Sequence, residues 1–211
     1  MTSQGLSVPA FAEEQEDQVS AVRRGGDPAA IIAAATAAEA AIRARVAQEP
    51  RPSPDDERAA LIRVKRMLYN AAADCWPGWA PPDGPHASAA DLEAALGLAR
   101  SSADLVDTLA LGAMQEGTAR WLIGAFELAL GRFDDALASF AAAEQHYHAA
   151  PARGLALLTQ GYAALTYEVA RRERPANVPD FDAVLTALVA GGFPDGDFFC
   201  DQLRTARSVF L

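Results

Sequence analysis

Apolar residues recur along this chain at helical spacing. Leu61, Val64, Leu68, Ala71 and Cys75 form one stripe, which predicts an amphipathic helix from about 55 to 75. A polar row, Arg63, Arg66, Asn70 and Asp74, runs beside that stripe. The stretch 121–144 reads WLIGAFELALGRFDDALASFAAAE, two short amphipathic helices joined by a tight turn at Gly131 and Arg132. Small residues at Gly124, Gly131, Ala136 and Ala143 fall where the two helices would approach closely. No stretch carries the alternation of a half-buried strand, so the expected fold is all-α.

Start and stop signals divide the rest. The charged segment 9–24 ends at Gly25 and Gly26, and Asp27 caps a helix with Pro28 in its first turn, running to about Gln48. Ser53 before Pro54, Asp55, Asp56 and Glu57 combines a capping hydroxyl, a proline at the first helical position and acids near the positive end of the dipole. Trp76 then opens a loop rich in proline and glycine, 76–87, in which Trp76 and Trp79 must find something to cover. Ser88 with Asp91 matches a capping box that uses the shorter acid, before a helix reaching about Leu111 and containing Gly97. Further helices are expected at 152–172, 181–190 and 197–209. The chain thus divides into pairs at 9–48, 55–111, 117–148 and 152–190 with a closing helix at 195–211, about nine helices in one domain spanning 1–211.

Composition agrees with close helix packing. Hydrophobic residues make up 51% of the 211 and aromatics only 8%, which favours small-residue helix contacts over a β-sandwich. Lys65 is the only lysine, and heavy use of Arg and Ala suggests a GC-rich bacterial source. The net charge of −10 argues against nucleic acid or an anionic membrane surface as partner, because phosphate binding needs clustered cations. Cys75 and Cys200 form no CxxC, and neither a signal peptide nor a membrane span is expected, so a reduced cytoplasmic setting is the expectation.

One internal repeat emerges. Residues 92–97, LEAALG, match 126–131, FELALG, at an offset of about 34 residues, the tetratricopeptide period. With Gly124, Gly131, Ala136, Phe140 and Ala143, the segment 117–150 resembles the tetratricopeptide repeat (TPR) family. The resemblance implies a short right-handed stack of antiparallel helical hairpins, a TPR-like α-α superhelix, whose concave face binds a protein or peptide. The chain departs from the pattern at Trp121, one place past the usual tryptophan, at His148, where proline is common, and at Leu158, where glycine is expected.

Candidate chemistry is sparse. No GxGxxG, Walker loop or GxSxG is present, no cofactor is indicated, and an enzyme is the less favoured expectation. Glu144 and His148 share a helix face while His146 points away, so a solvated helix end is preferred to a metal site. The favoured expectation is an interaction module with a groove lined by Trp121, Tyr162, Arg66 and Asn70, and with Tyr167 as a further aromatic. The alternative is a small-molecule or catalytic pocket beneath the loop, built from Asn70, Asp74, Trp76 and Trp79, whose bland counterpart is a hydrophobic plug. Self-association through the Ala-rich helix 28–48 is a further partner expectation.

Overall fold

A computed structural model describes residues 6–48, 50–79 and 87–211. Among these there are nine α-helices and no strand: α1 Val8–Arg23, α2 Pro28–Val46, α3 Pro54–Asp74, α4 Ala89–Thr108, α5 Ala113–Ala129, α6 Phe133–Ala149, α7 Arg153–Val169, α8 Phe181–Ala190 and α9 Gly196–Phe210. The protein is an all-α stack in which each helix packs on the next in chain order, while α1 also packs on α3 and α9 also packs on α7. A short 3₁₀ turn, Pro77–Trp79, follows α3. Most of the 76–87 loop, residues 80–86, lies outside the described residues.

Capping sets the helix starts. Asp27 accepts from Ala29 N and Ser53 from Asp56 N, each directly before a first-turn proline. The box at α4 closes in both directions: Ser88 Oγ accepts from Asp91 N at 3.2 Å and Asp91 Oδ2 accepts from Ser88 N at 2.9 Å. Asp is therefore long enough to complete this box. Helix α5 stops where Gly131 takes φ +72° and Arg132 N reaches back to Glu127 O at 2.8 Å, a left-handed turn in which glycine is the unstrained residue.

The α5–α6 hairpin shows why small residues occur where they do. A Cβ on Gly117 would stand 2.8 Å from the Tyr147 ring, and one on Gly124 would stand 2.9 Å from the Phe140 ring. These paired positions run in opposite directions along the two helices, as an antiparallel hairpin requires. Phe140 is fully buried and has no room to retreat. Helix α5 is buried almost all round, from Gly117 to Leu128, which places it at the centre of the stack. Its one buried carboxylate, Glu127, accepts from Ser139 Oγ at 2.6 Å and from Arg100 Nη2 at 3.2 Å, tying α4, α5 and α6 together.

Two glycines in helix interiors should respond in opposite directions. Gly124→Ala is expected to lower stability by up to about 2 kcal/mol, an overpacking cost of roughly 1–3 less a propensity gain of about 1. Gly97 is exposed with nothing near its would-be Cβ. Gly97→Ala should therefore raise stability by about 0.5–1 kcal/mol. Urea unfolding midpoints measure both, and shifts of the same sign would contradict the packing described for Gly124.

Candidate binding site

Helix α3 ends at Asp74, and the chain turns so that Trp76 enters the interior, 1% exposed. Its indole N–H donates to the Ala125 carbonyl of α5 at 2.9 Å. Its ring lies 5.9 Å from Trp121, 5.6 Å from Tyr162 on α7 and 6.2 Å from Phe210 on α9. Gly78 crosses this ring so closely that an added Cβ would overlap it at 2.0 Å. Trp79 follows, stacked on Trp121 at 5.7 Å and 39% exposed. All three tryptophans of the chain therefore share one aromatic cluster.

Among the described residues, two hollows adjoin Trp79. The smaller, about 160 Å³, is a cleft walled by Tyr69, Trp79, Thr118, Trp121 and Tyr147 together with Phe198 and Gln202 of α9. The larger is an apolar recess of about 350 Å³ bounded by Trp79, Phe198, Asp201, Gln202 and Thr205. Phe198 is 65% exposed at its edge. Within the cleft, Tyr147 donates to Thr118 Oγ1 at 3.3 Å and Thr118 donates to the Met114 carbonyl at 2.9 Å. The Trp121 indole N–H is buried and has no acceptor among the described residues. A buried donor left unmade costs about 1–3 kcal/mol. The Tyr162 hydroxyl, also buried, lies near Gln202 and Trp79 without a well-formed hydrogen bond, and burial pushes its pKa up.

The residues expected from the sequence divide between two places. Trp121 and Tyr162 do come together, 5.3 Å apart, but as buried members of the cluster and not as the lining of an open groove. Arg66 is not with them. Glu16 of α1 accepts two hydrogen bonds from Arg66, both at 2.6 Å, and one from Arg63 at 3.1 Å. Asp74 is bonded to Arg23 of α1 at 2.5 Å. The polar row of α3 is the seam to α1, because two amphipathic helices lying parallel bring opposite charges along their shared edge. Asn70 is half-buried on α3, and neither it nor Asp74 borders the cleft or the recess. The expected pocket composition is therefore corrected: Trp79 borders both hollows, Trp76 is the plug beneath, and Asn70 and Asp74 stand elsewhere. Tyr167 borders a different hollow of about 280 Å³, of mixed lining, with Glu144, Gln160 and Asn177 beside Leu137, Phe140 and Val178.

Tyr69, Thr118, Tyr147, Phe198 and Gln202 were not singled out from the sequence: Thr118 and Tyr147 meet within the α5–α6 hairpin, and Phe198 and Gln202 join them only through the packing of α9. His146 pairs with Glu116 at 2.9 Å and His148 with Glu144 at 3.3 Å, so the two rings turn to different partners. Among the described residues no group of three or more His, Cys, Asp or Glu side chains could hold a metal ion, and no helix is long and apolar enough to cross a membrane. Both cysteines are free and buried, and burial pushes the Cys75 thiol up to about 12. No protein-family model, curated protein or solved structure matches this chain.

The α1–α3 seam gives a pH signature. Burial alone would raise the Glu16 carboxyl, but the hydrogen bonds and charges of Arg66 and Arg63 outweigh it, and its pKa is lowered. A folded-state value below the unfolded one adds stability at neutral pH that is lost as pH falls through the folded value. Glu16→Gln should cost about 1 kcal/mol or less at pH 7. That gap should close only as pH falls below the ordinary glutamate range, because the folded carboxylate, its pKa lowered, protonates later than a free one. Urea midpoints between pH 7 and 3 test this, and a gap that stays constant with pH would assign the loss to packing.

Proposed function

We propose that this chain is a TPR-like helical-repeat interaction module whose partner is a protein or peptide, held at the recess bounded by Trp79 and Phe198. The observation that carries the reading is the exposure of these two large aromatics beside an apolar recess on a rigid helical base. Trp79 is backed from beneath by its stack on Trp121 and presents 39% of its surface at the rim. Large aromatic anchors of this kind supply most of the energy in small interfaces. A stack of helical hairpins has the extended surface to present them, because each hairpin buries its apolar face only against its neighbours.

The chemistry of the rim describes the occupant. Asp201, paired with Arg204 of its own helix at 3.1 Å, is exposed at the edge of the recess, and the whole chain carries −10. The partner segment would therefore combine an apolar anchor for the recess with a Lys or Arg beside it. This surface replaces the groove first expected at Trp121, Tyr162, Arg66 and Asn70, of which Trp121 serves as the support under Trp79.

A photo-crosslinking amino acid placed at position 198, and separately at the exposed α8 position 189, tests this in cells. A discrete adduct at 198, absent at 189 and at least tenfold weaker in Trp79→Ala, is expected from the loss of one anchor of about 2 kcal/mol. No adduct at 198, or the same adducts at both positions, would overturn the assignment.

A further inference from the structure

The cleft beside the recess has its own chemistry. Its described walls are mostly aromatic and aliphatic, with Thr118 and the Gln202 amide as further polar groups and no charged side chain: Tyr69, Trp79, Trp121 and Tyr147 line it from α3, the 3₁₀ turn, α5 and α6, and Phe198 and Phe199 from α9. A charged ligand would lose its hydration there and gain no counter-ion. At about 160 Å³ the space suits a molecule of one ring, close to the scale at which an apolar cavity accepts benzene.

Polar supply in the cleft is lopsided. Thr118 and Tyr147 are bonded to each other, and Thr118 also to Met114, so those hydroxyls are engaged. The Trp121 N–H can only donate, is buried, and has no acceptor. The Gln202 amide is the remaining polar group of the lining; what the Trp121 N–H lacks is one acceptor within its own reach. We infer that this cleft binds a neutral, single-ring small molecule carrying a carbonyl-type acceptor, with the ring among the aromatic walls and the acceptor taking the Trp121 indole N–H. Trp79, stacked on Trp121 and partly exposed, is the ring that gives way as the acceptor enters. The inference needs no partner protein and stands or falls apart from the recess.

All three tryptophans lie in the cluster, so their indole N–H resonances report on it directly. In ¹⁵N-labelled full-length protein they can be assigned from Trp76→Phe, Trp79→Phe and Trp121→Phe, then followed during titration with benzamide or with ethylbenzene, which has a ring but no acceptor. Benzamide should move the Trp121 indole proton downfield and saturably, and should bind at least tenfold more tightly than ethylbenzene. Trp121→Phe should remove that preference. Equal binding of the two compounds would overturn the role of the donor. A Trp121 resonance that moves with neither compound, or shifts confined to Trp79, would overturn the site. Comparing the two compounds on the unmodified protein keeps the test decisive even if Trp121→Phe fails to fold.

Discussion

Trp76 holds the stack to its closing helix. A chain leaving α3 could run anywhere over the surface, but the indole N–H donating to Ala125 O and the ring lodged among Trp121, Tyr162 and Phe210 commit it to cross α5 and meet α7 and α9. Burying an indole contributes more area than any other side chain, and only with its N–H satisfied does that burial carry no polar penalty. Gly78 is the complement, since any larger residue there would collide with the ring. Removing Trp76 would therefore loosen four elements at once. Removing Trp79, with 39% of its surface in water, would mainly alter the hollows.

Charge and aromatic surface are kept on different edges of α3. Toward α1 the helix presents Arg63, Arg66 and Asp74, each bonded across the seam. Toward the cleft it presents Tyr69, whose ring lies 5.3 Å from the Lys65 ammonium. Ion pairs at a half-exposed seam add little stability, but they penalise a slipped register by leaving charges facing like charges. The low-charge side can then be given to rings. This division is why Arg66, expected to take part in binding, is occupied, and why Asp201 is the one charged group among the described residues lining the hollows near Trp79.

How much was legible in the sequence follows from how local each determinant is. Asp27, Ser53 and Ser88 act on backbone within three residues, so their caps could be read directly, and Gly131 marks its own turn through φ +72°. Gly124 could be read because the α5–α6 hairpin is short and places Phe140 opposite it. The row on α3 looked free because its partners, Glu13, Glu16 and Arg23, lie about 50 residues earlier and no local pattern announces them. Trp121 and Tyr162 were recognised as neighbours, but their burial depends on α9, where Leu203 packs against Gly161 and Phe199 against Gly154. An amphipathic helix declares that it will bury a face and not where. The site is completed at that docking, which is why Phe198 and Gln202 gave no signal.

The cleft and the recess share Trp79, Phe198 and Gln202, and this sharing has a thermodynamic consequence. An acceptor reaching Trp121 must shift Trp79, the same ring that anchors the recess. Occupants of the two hollows therefore cannot bind independently, and linkage makes the effect reciprocal: whatever factor a cleft ligand applies to partner affinity, the partner applies to the ligand. The sign depends on where Trp79 goes. Turned outward, it enlarges the anchor seen by a partner and the two favour each other; turned into the recess, it competes. Because Trp76 and Trp121 are fixed beneath it, Trp79 is the single ring in the cluster with freedom to choose, and the coupling between the hollows passes through that one side chain.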